Sequence, residues 1–445
     1  MNMTEGKIFP IFIKFSLPLL FGNIFQLCYS MTDSFIVGNY CGSLSLAAIG
    51  ASGNIIFTVT GFFTGLANGA GVVISQAFGS KDEYKFLSSV HTMLAFSLLL
   101  SLVLTLFGIY IAPIMLRMIS VPSEVFLLAN TYLRIYFSGI IFILIYNVCA
   151  AILRALGESK QTLFILIISV VLNIFLDYFF ILILKKGLGG AAIATVISES
   201  FSALTAFIVL LWQLQKISFI PNRKIKKYFS LFALIPILKI GLPGAVSSLL
   251  LNFSNTFMQR YINQFGAECM AGWAVYARFD ELSLLPMVSI CMAAMTFTGQ
   301  NYGAGKMERV HRGIKVSVTL GLIVTGIIAS ALICSAPLLI SIFNSEGEVV
   351  RYGAQFIRAS ASFYLFCFGT MIVCQVSQGL GHSAIPTLII FSGFVVLRQT
   401  YLFVITHLIV SSIAVALAYP LVWPPTLLVE ILYLRKKLQG LKKDI

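Results

Sequence analysis

The sequence predicts an all-α integral membrane protein with twelve transmembrane helices in two pseudo-symmetric six-helix bundles. Apolar residues make up 59% of the 445-residue chain and charged residues 10%, against roughly 25% charged in a soluble protein. The apolar runs are continuous and reach about 20 residues, the length a helix needs to cross a bilayer. Runs of this kind do not alternate as the strands of a membrane β-barrel do. The third observation is an internal repeat.

Twelve apolar segments divide six and six around one polar stretch. The predicted spans are residues 11–36, 46–70, 88–112, 126–150, 162–184, 188–212, 240–262, 271–297, 315–338, 354–377, 385–408 and 410–433. We therefore expect an N-terminal six-helix bundle at 1–215, a basic cytoplasmic linker at 216–239 and a C-terminal six-helix bundle at 240–445.

Basic residues are concentrated on one side of this topology. With the N-terminus placed in the cytoplasm, 21 of the 30 lysines and arginines fall in cytoplasmic segments. The positive-inside rule then predicts a multi-pass protein of the cytoplasmic membrane with both termini in the cytoplasm. The net charge of +14 is explained by this topology, so we expect membrane lipids as neighbours and no nucleic acid as a partner.

The second half of the chain repeats the first at an offset of 224 residues. The coincident landmarks are Gln76 with Gln300, Gly79 with Gly303, Pro113 with Pro337, Glu124 with Glu348, Arg134 with Arg358, and 156–159 with 380–383. Six spans per repeat preserve orientation, so the two halves run in parallel. Repeats in membrane transporters commonly frame a substrate site near the midplane and support alternating access.

The first span contains Asp33, which makes it the most informative segment of the chain. Steps of four and three residues back from Asp33 reach Tyr29 and Gln26, so the three lie on one helix face. A carboxylate in lipid costs roughly 2.5–3.5 kcal/mol, so this face should meet protein or water. Pro18 lies further back, where it can bend the helix as a hinge. We interpret Asp33 as an ion or proton site; the alternatives are an interfacial cap or a structural ion pair.

Two further spans of the first half carry polar residues. Asn173 and Asp177 are four residues apart in the fifth span, and Thr195 and Glu199 have the same spacing in the sixth. Oxygen donors of this kind hold hard cations, and two close carboxylates can share one proton. The alternative is that Asn173 and Thr195 form ordinary hydrogen bonds between helices. The presence of two acids favours a cation site made of Asp33, Asn173, Asp177 and Thr195.

The second half has no acid at the positions that match Asp33 and Asp177. Its own candidate charge cluster consists of Asp280, Glu281 and Arg398. We expect Arg398 to pair with one of these two acids, because an unpaired guanidinium in a membrane span is costly. The pair is interpreted as structural, with the binding of an anionic group as the alternative.

Several short motifs lie at characteristic places in the chain. They are DSFIVGNYCGSLSLAAIG at 33–50, SQAFGSK at 75–81, RALG at 154–157, NIFLD at 173–177, GGAAIAT at 189–195 and TGQNYGAGK at 298–306. Together they resemble the motifs of the multidrug and toxic compound extrusion (MATE) transporters of the MOP flippase superfamily, and the first two are similar to the opening signature of that family. The resemblance extends over the whole chain.

This resemblance implies a V-shaped pair of bundles that exports drug-like, often cationic, organic compounds in exchange for H⁺ or Na⁺. The cation site of the DinF-like branch matches Asp33, Asn173, Asp177 and Thr195, with monovalent Na⁺ possible at the two acids. Positions that line the first-half cavity of that branch match Gln26, Tyr29 and Asn147. A second-half cation site of the NorM-like branch would need a seventh-span glutamate, where this chain offers Asn252.

Two alternatives are kept. A flippase for lipid-linked saccharides or other lipids belongs to the same superfamily, but such relatives carry more spans and several cavity arginines. A membrane enzyme would need a catalytic constellation, and the four scattered histidines form no HExxH motif. No nucleotide-binding loop is present in the sequence. We therefore expect a monomeric transporter, not an enzyme, with a small organic substrate and no cofactor or resident metal beyond the coupling ion.

Overall fold

The chain is helical almost throughout. This computed structural model describes residues 1–220 and 229–443. The helices are α1 (Ile8–Cys41), α2 (Ser43–Ser80), α3 (Glu83–Met118), α4 (Ser123–Ser138), α5 (Ile140–Ala155), α6 (Ser159–Tyr178), α7 (Gly187–Gln215), α8 (Leu231–Ile262), α9 (Ala267–Gly303), α10 (Met307–Ser341), α11 (Gly347–Ala361), α12 (Tyr364–Gly379), α13 (Ala384–Phe391), α14 (Arg398–Leu408), α15 (Ser412–Ala416) and α16 (Trp423–Lys443).

Most of these helices fit a bilayer by length and composition. Among the described residues, nine continuous helices are long and apolar enough to cross a membrane, and the bent pairs α4–α5 and α11–α12 add two. The chain is thus an all-helical membrane protein. The last predicted span, 410–433, is interrupted: α15 has five residues, and α16 begins only at Trp423. Pro420, Pro424 and Pro425 explain the break, since proline cannot donate in a helix interior but is tolerated in its first turn.

The outer surface of the helices is apolar. On α3 the large exposed side chains are Leu98, Leu99, Leu102, Val103, Leu106, Phe107, Tyr110 and Ile114. An apolar stripe of this length exceeds what a soluble monomer exposes. It matches the acyl chains of a bilayer, so α3 presents one face to lipid.

The chain divides into two compact units. The first comprises Met1–Asn2 and Leu17–Gly241, and the second Met3–Ser16 and Leu242–Ile445. Both divisions fall inside long helices, next to Pro18 in α1 and Pro243 in α8. The expected linker at 216–239 falls partly outside the described residues, because 221–228 are not among them.

Specific hydrogen bonds connect the start of Met3–Ser16 to the second unit. The Met3 amide donates to Gln300 Oε1 at 3.0 Å, and Asn301 Nδ2 donates to the Met3 carbonyl at 3.2 Å. Arg309 donates to the carbonyls of Met3, Glu5 and Gly6. These bonds pair the main chain of the N-terminal segment with side chains of α9 and α10.

The repeat is visible within each unit taken separately. The bend between α4 and α5 is 49°, and that between α11 and α12 is 48°. A π-helical segment occupies Phe179–Ile183 after α6, and another occupies Ser392–Leu397 after α13. Gly157 and Gly381, which are 224 residues apart, have φ values of 83° and 87°. Glycine adopts such values without steric cost, which explains why the repeat keeps glycine at this turn.

One close approach positions the elements of the candidate site in the first unit. A Cβ atom on Gly139, between α4 and α5, would lie 2.5 Å from Val196 Cγ2 of α7. Only the absence of a side chain allows this contact. The bend of α4–α5 therefore packs directly against α7, one residue after Thr195.

Candidate cation site

Asp33 and Asp177 lie side by side in the interior of the first unit. Asp33 comes from α1 and is 9% exposed, while Asp177 comes from the last turn of α6 and is fully buried. The two carboxyl groups are near enough to interact directly. Two ionised carboxylates at this separation repel each other, so the pair is stable only with a proton or a cation between them.

Three of the four oxygen atoms of this pair lack a hydrogen-bond donor among the described residues. Within the described part of the chain, Asp33 Oδ1 and both carboxyl oxygens of Asp177 are buried without a hydrogen-bond partner. Both side-chain polar atoms of Asn173 are also buried without a hydrogen-bond partner in these residues. Asn173 lies one helical turn before Asp177. Buried polar atoms are nearly always paired in proteins. The three residues therefore form an unsatisfied group of oxygens that is suited to a proton or a monovalent cation.

Thr195 is connected to this group through Tyr29. The Tyr29 hydroxyl donates to Thr195 Oγ1 at 3.4 Å, and Thr195 Oγ1 donates to the Ala191 carbonyl at 3.1 Å. Tyr29 also interacts with the Asp33 carboxylate, which lies four residues later on the same helix face. Tyr29, expected to line the substrate cavity, thus lies at the edge of the candidate cation site.

The structure adds two side chains that the sequence argument did not place at the site. Tyr132 of α4 is buried and interacts with both Asp33 and Asp177. Glu199 of α7 has one buried oxygen without a hydrogen-bond partner in the described residues. Its carboxyl group interacts with Tyr29 and, on α4, with Tyr136. The spacing of Thr195 and Glu199 signalled a shared face, but nothing in the sequence marked the α4 tyrosines.

The backbone near Asp177 is irregular. Asp177 lies in the last turn of α6, and the π-helical segment Phe179–Ile183 begins two residues later. A π-segment shifts the register of a helix and occurs often at functional sites. Here the π-segment begins just after Asn173 and Asp177. The helix face that carries these two residues is therefore rotated relative to the helix face that follows the π-segment.

The other expected cavity residues are not gathered at this point. Asn147 donates from Nδ2 to the Ile143 carbonyl at 2.8 Å and lines a small cavity of about 10 Å³ with Phe63, Met93 and Ser97. Such a volume is near the minimum for one water molecule. Gln26 is exposed. Of the three expected cavity residues, only Tyr29 interacts with the candidate cation site, through Asp33.

In the second unit, the expected ion pair of Arg398 is not formed, and this prediction was wrong. Asp280 Oδ1 accepts hydrogen bonds from Tyr364 at 2.6 Å and from Tyr276 at 3.3 Å. Glu281 instead pairs with Arg278 at 3.7 Å, at an exposed position. Two phenol groups therefore donate to one carboxyl oxygen of this half-buried acid, where a cation was expected.

Arg398 is held by other groups. Its Nε donates to Ser254 Oγ at 3.1 Å, and its guanidinium lies 4.6 Å from the ring centroid of Tyr419. Tyr419 interacts with both Arg398 and Asp280. A cation–π contact of this kind stabilises a desolvated guanidinium by about 2 kcal/mol, which replaces part of what an acid would supply.

An all-helical fold of two repeated units, with lipid-compatible outer faces and an unsatisfied polar group inside one unit, defines a membrane transport protein. The family profile described as MatE matches residues 18–179 and 243–421. The chain therefore belongs to the MatE family, a family of transporters and not of enzymes.

Curated relatives and solved structures agree with this assignment. The chain is 29% identical to the probable multidrug resistance protein YpnP of Bacillus subtilis over 401 residues, which cover 90% of this chain and 89% of YpnP. It is 25% identical to the multidrug export protein MepA of Staphylococcus aureus over 398 residues, covering 86% and 85%. A crystal structure of a MATE protein in the bent conformation superposes with a TM-score of 0.92 at 21% identity, covering 99% and 98% of the two chains.

Proposed function

We propose that this protein is a cation-coupled antiporter that exports drug-like, often cationic, organic compounds across the cytoplasmic membrane by alternating access. The observation that carries the proposal is the buried carboxyl pair Asp33–Asp177, which has no donor at three of its oxygens within the described residues. Membership of the MatE family and the names of YpnP and MepA support drug-like organic compounds as the substrate class.

In the proposed mechanism, Asp33, Asp177 and Asn173 hold the coupling ion. An entering proton or Na⁺ removes the repulsion between the carboxylates and lets α1 and α6 approach each other. The Tyr29 hydroxyl, which bonds Thr195 and lies beside Asp33, changes its surroundings at the same time. An ion drives transport only if it binds one conformation better than the other. The substrate must therefore lose affinity as the ion gains it, and this reciprocity couples the two fluxes.

Finer features of the proposal concern the branch and the topology. The residue set Asp33, Asn173, Asp177 and Thr195 supports membership of the DinF-like branch, and we propose Pro18 as the hinge of α1. The distribution of lysines and arginines supports cytoplasmic termini at both ends. We propose that one chain, without a second copy, is the working unit.

The test is ion-driven export of ethidium from liposomes that contain the purified protein. The wild-type protein should export ethidium when a proton or Na⁺ gradient is imposed, and Asp33→Asn should fold and insert normally but lose gradient-driven export. The control is Glu124→Gln, an exposed acid at the start of α4, which should behave as wild type. Wild-type export by Asp33→Asn would contradict the proposal, and lipid translocation without ethidium export would favour the flippase alternative.

A further inference from the structure

A second buried acid lies in the second unit, on α16. Glu430 is 1% exposed and lies on a strip of buried residues spaced by three and four positions, which are Trp423, Thr426, Glu430 and Leu434. This spacing places all four on one face of the helix. The face points into the second unit, where a Cβ atom on Gly393 would lie 1.9 Å from Thr426 Oγ1. Glu430 is therefore enclosed between α16 and its neighbours and does not contact lipid.

Both carboxyl oxygens of Glu430 are buried without a hydrogen-bond partner in the described residues. The ion pairs recorded there involve other acids, namely Asp82, Glu158, Glu281, Glu308 and Glu348. An ionised carboxylate with neither donor nor counter-ion in a low-dielectric interior is strongly destabilised. Asp280 of the same unit shows the contrast, because two tyrosines donate to it.

The groups around Glu430 are neutral. The Cys374 thiol of α12 interacts with the Glu430 carboxyl group, accepts a hydrogen bond from Gln378 Nε2 at 3.4 Å and has Cys291 of α9 beside it. The other titratable side chains of α12, Tyr364 and Cys367, are buried, and neither α13 nor the π-segment Ser392–Leu397 carries one.

The remaining charges of α16 lie beyond Glu430. Its own further titratable residues are Tyr433, Arg435, Lys436, Lys437, Lys442 and Lys443. Arg435 is exposed and follows Glu430 by five residues, a rise of about 7.5 Å along the axis. The buried carboxyl group thus lies less than two helical turns before the exposed basic end of the helix.

From this arrangement we propose that Glu430 is a second proton-carrying residue of the transport cycle, located in the second unit. The inference rests on the proposed ion-coupled export and extends it. In the described conformation the carboxylic acid is protonated. When the conformation changes and water reaches α16, the acid releases this proton to the solution and becomes a carboxylate, and it takes up a proton before it is buried again. The neighbour that interacts with the Glu430 carboxyl group is the Cys374 thiol, and a thiol is a poor ligand for Na⁺, which favours a proton as the ion carried.

The first test needs no transport. Infrared difference spectra between wild type and Glu430→Gln, recorded on purified protein at neutral pH, should contain the carbonyl band of one protonated carboxylic acid that is lost in the variant. The matched control, Glu348→Gln, removes a half-exposed acid that pairs with Arg351, and should remove only a carboxylate band. A carboxylate band assigned to Glu430 at neutral pH would overturn the proposal.

The second test counts protons. Ethidium binding to the purified protein in weak buffer should release about one proton fewer from Glu430→Gln than from wild type, by linkage. Glu430→Asp, which keeps the acid, should restore the count, and Glu348→Gln should leave it unchanged. An unchanged count in Glu430→Gln would show that the acid is only structural. If Glu430→Gln fails to fold, the comparison of Glu430→Asp with wild type, through a shifted carbonyl band, decides the same question.

The two tests separate this inference from the proposed function. If the wild-type protein exports no organic cation but the Glu430 carbonyl band is present, the proposed function fails while the buried protonated acid remains. If export is lost in Asp33→Asn and both Glu430 tests are negative, the proposed function stands and this inference fails.

Discussion

At the scale of single residues, the first unit concentrates unsatisfied oxygens around Asp177. Asp177 and Asn173 occupy successive turns of one helix face, and Asp33 reaches them from α1. Tyr29 and Thr195, which are hydrogen-bonded to each other, lie at the edge of this group. The Tyr29 hydroxyl is the group whose removal perturbs the site least, because the Tyr29→Phe variant keeps the ring and both acids in place.

Tyr29→Phe should weaken ion coupling without abolishing it. A hydrogen bond contributes about 0.5–1.5 kcal/mol, so the ion concentration for half-maximal ethidium export should rise roughly two- to twelvefold. The measurement is export from liposomes over a range of imposed ion concentrations. Tyr40→Phe removes an exposed hydroxyl from the same helix and should have no effect. An unchanged half-maximal concentration in Tyr29→Phe would exclude this hydroxyl from the coupling group.

Arg398 and Asp280 should be only weakly coupled, because they make no direct ion pair and share a single neighbour, Tyr419. In a double-mutant cycle of Arg398→Met and Asp280→Asn, the coupling energy for unfolding in detergent should be small, about 0.5 kcal/mol. The cycle of Arg398→Met with Tyr419→Leu should give a larger coupling, because the guanidinium lies over that ring. A large coupling in the first cycle would mean that an ion pair forms after all.

Some of these residues could be found from the sequence and others could not. Asp33 and Asp177 are single acids in apolar runs, so their cost in lipid marks them at once. Tyr132 gives no such signal, because tyrosine side chains occur on both the lipid-facing and the protein-facing sides of membrane helices. Glu430 lies five residues before the basic end of the chain and resembles part of its polar tail. Only the packing of α16 shows that it is enclosed.

At the scale of helices, the bend at Gly139 sets the distance between α4–α5 and α7. The next residue of α7 after Thr195 fills the space that a side chain on Gly139 would need. A small change at this contact is therefore expected to shift α4, the helix that places Tyr132 and Tyr136 beside the candidate cation site.

Gly139→Ala should destabilise the protein by about 1–3 kcal/mol through overpacking against Val196. The measurement is the unfolding midpoint in detergent. Val196→Ala removes the clashing methyl groups, so the double variant Gly139→Ala/Val196→Ala should recover part of the loss. Gly50→Ala is the control, since an added Cβ there meets no atom within 4 Å. Equal stability of Gly139→Ala and wild type would show that the helices separate without cost.

The helices were predictable in number and approximate place, but not in their irregularities. Continuous apolar runs predicted the spans. Most of the observed helices begin several residues before their predicted span and end several residues after it. The apolar run ends where the chain reaches the membrane surface, whereas the helix continues beyond it. The π-segments and the bends of 49° and 48° have no apolar signature. They depend on packing contacts between distant segments, as at Gly139.

At the scale of the whole molecule, the repeat was visible in the sequence because glycine, proline and charged landmarks recur at one offset. It did not show that residues 3–16 belong to the second unit, since main-chain carbonyls that accept from Arg309 carry no sequence signal. The proposed orientation in the membrane rests on the charge distribution alone and is open to a direct test.

Single cysteines at Lys81 and at Lys306 should react with an impermeant thiol reagent only from the cytoplasmic side. Both positions are exposed, and both end the loop motif of their half. The background is the protein with its eight native cysteines replaced. A cysteine at Glu124, the exposed first turn of α4, should react only from outside. Labelling of Lys81 or Lys306 positions from outside would reverse the orientation.

The most direct test of the account is the ratio of coupling ions to ethidium molecules moved by Asp177→Asn. If the first unit's carboxyl pair holds the coupling ion, neutralising Asp177 should abolish ion-coupled exchange. Arg398→Met, which alters the interior of the second unit without touching this pair, should keep the wild-type ratio even if it lowers stability. The ratio is measured in liposomes from simultaneous ion and ethidium fluxes. A wild-type ratio in Asp177→Asn, together with a collapsed ratio in Arg398→Met, would place the ion site in the second unit and contradict the account.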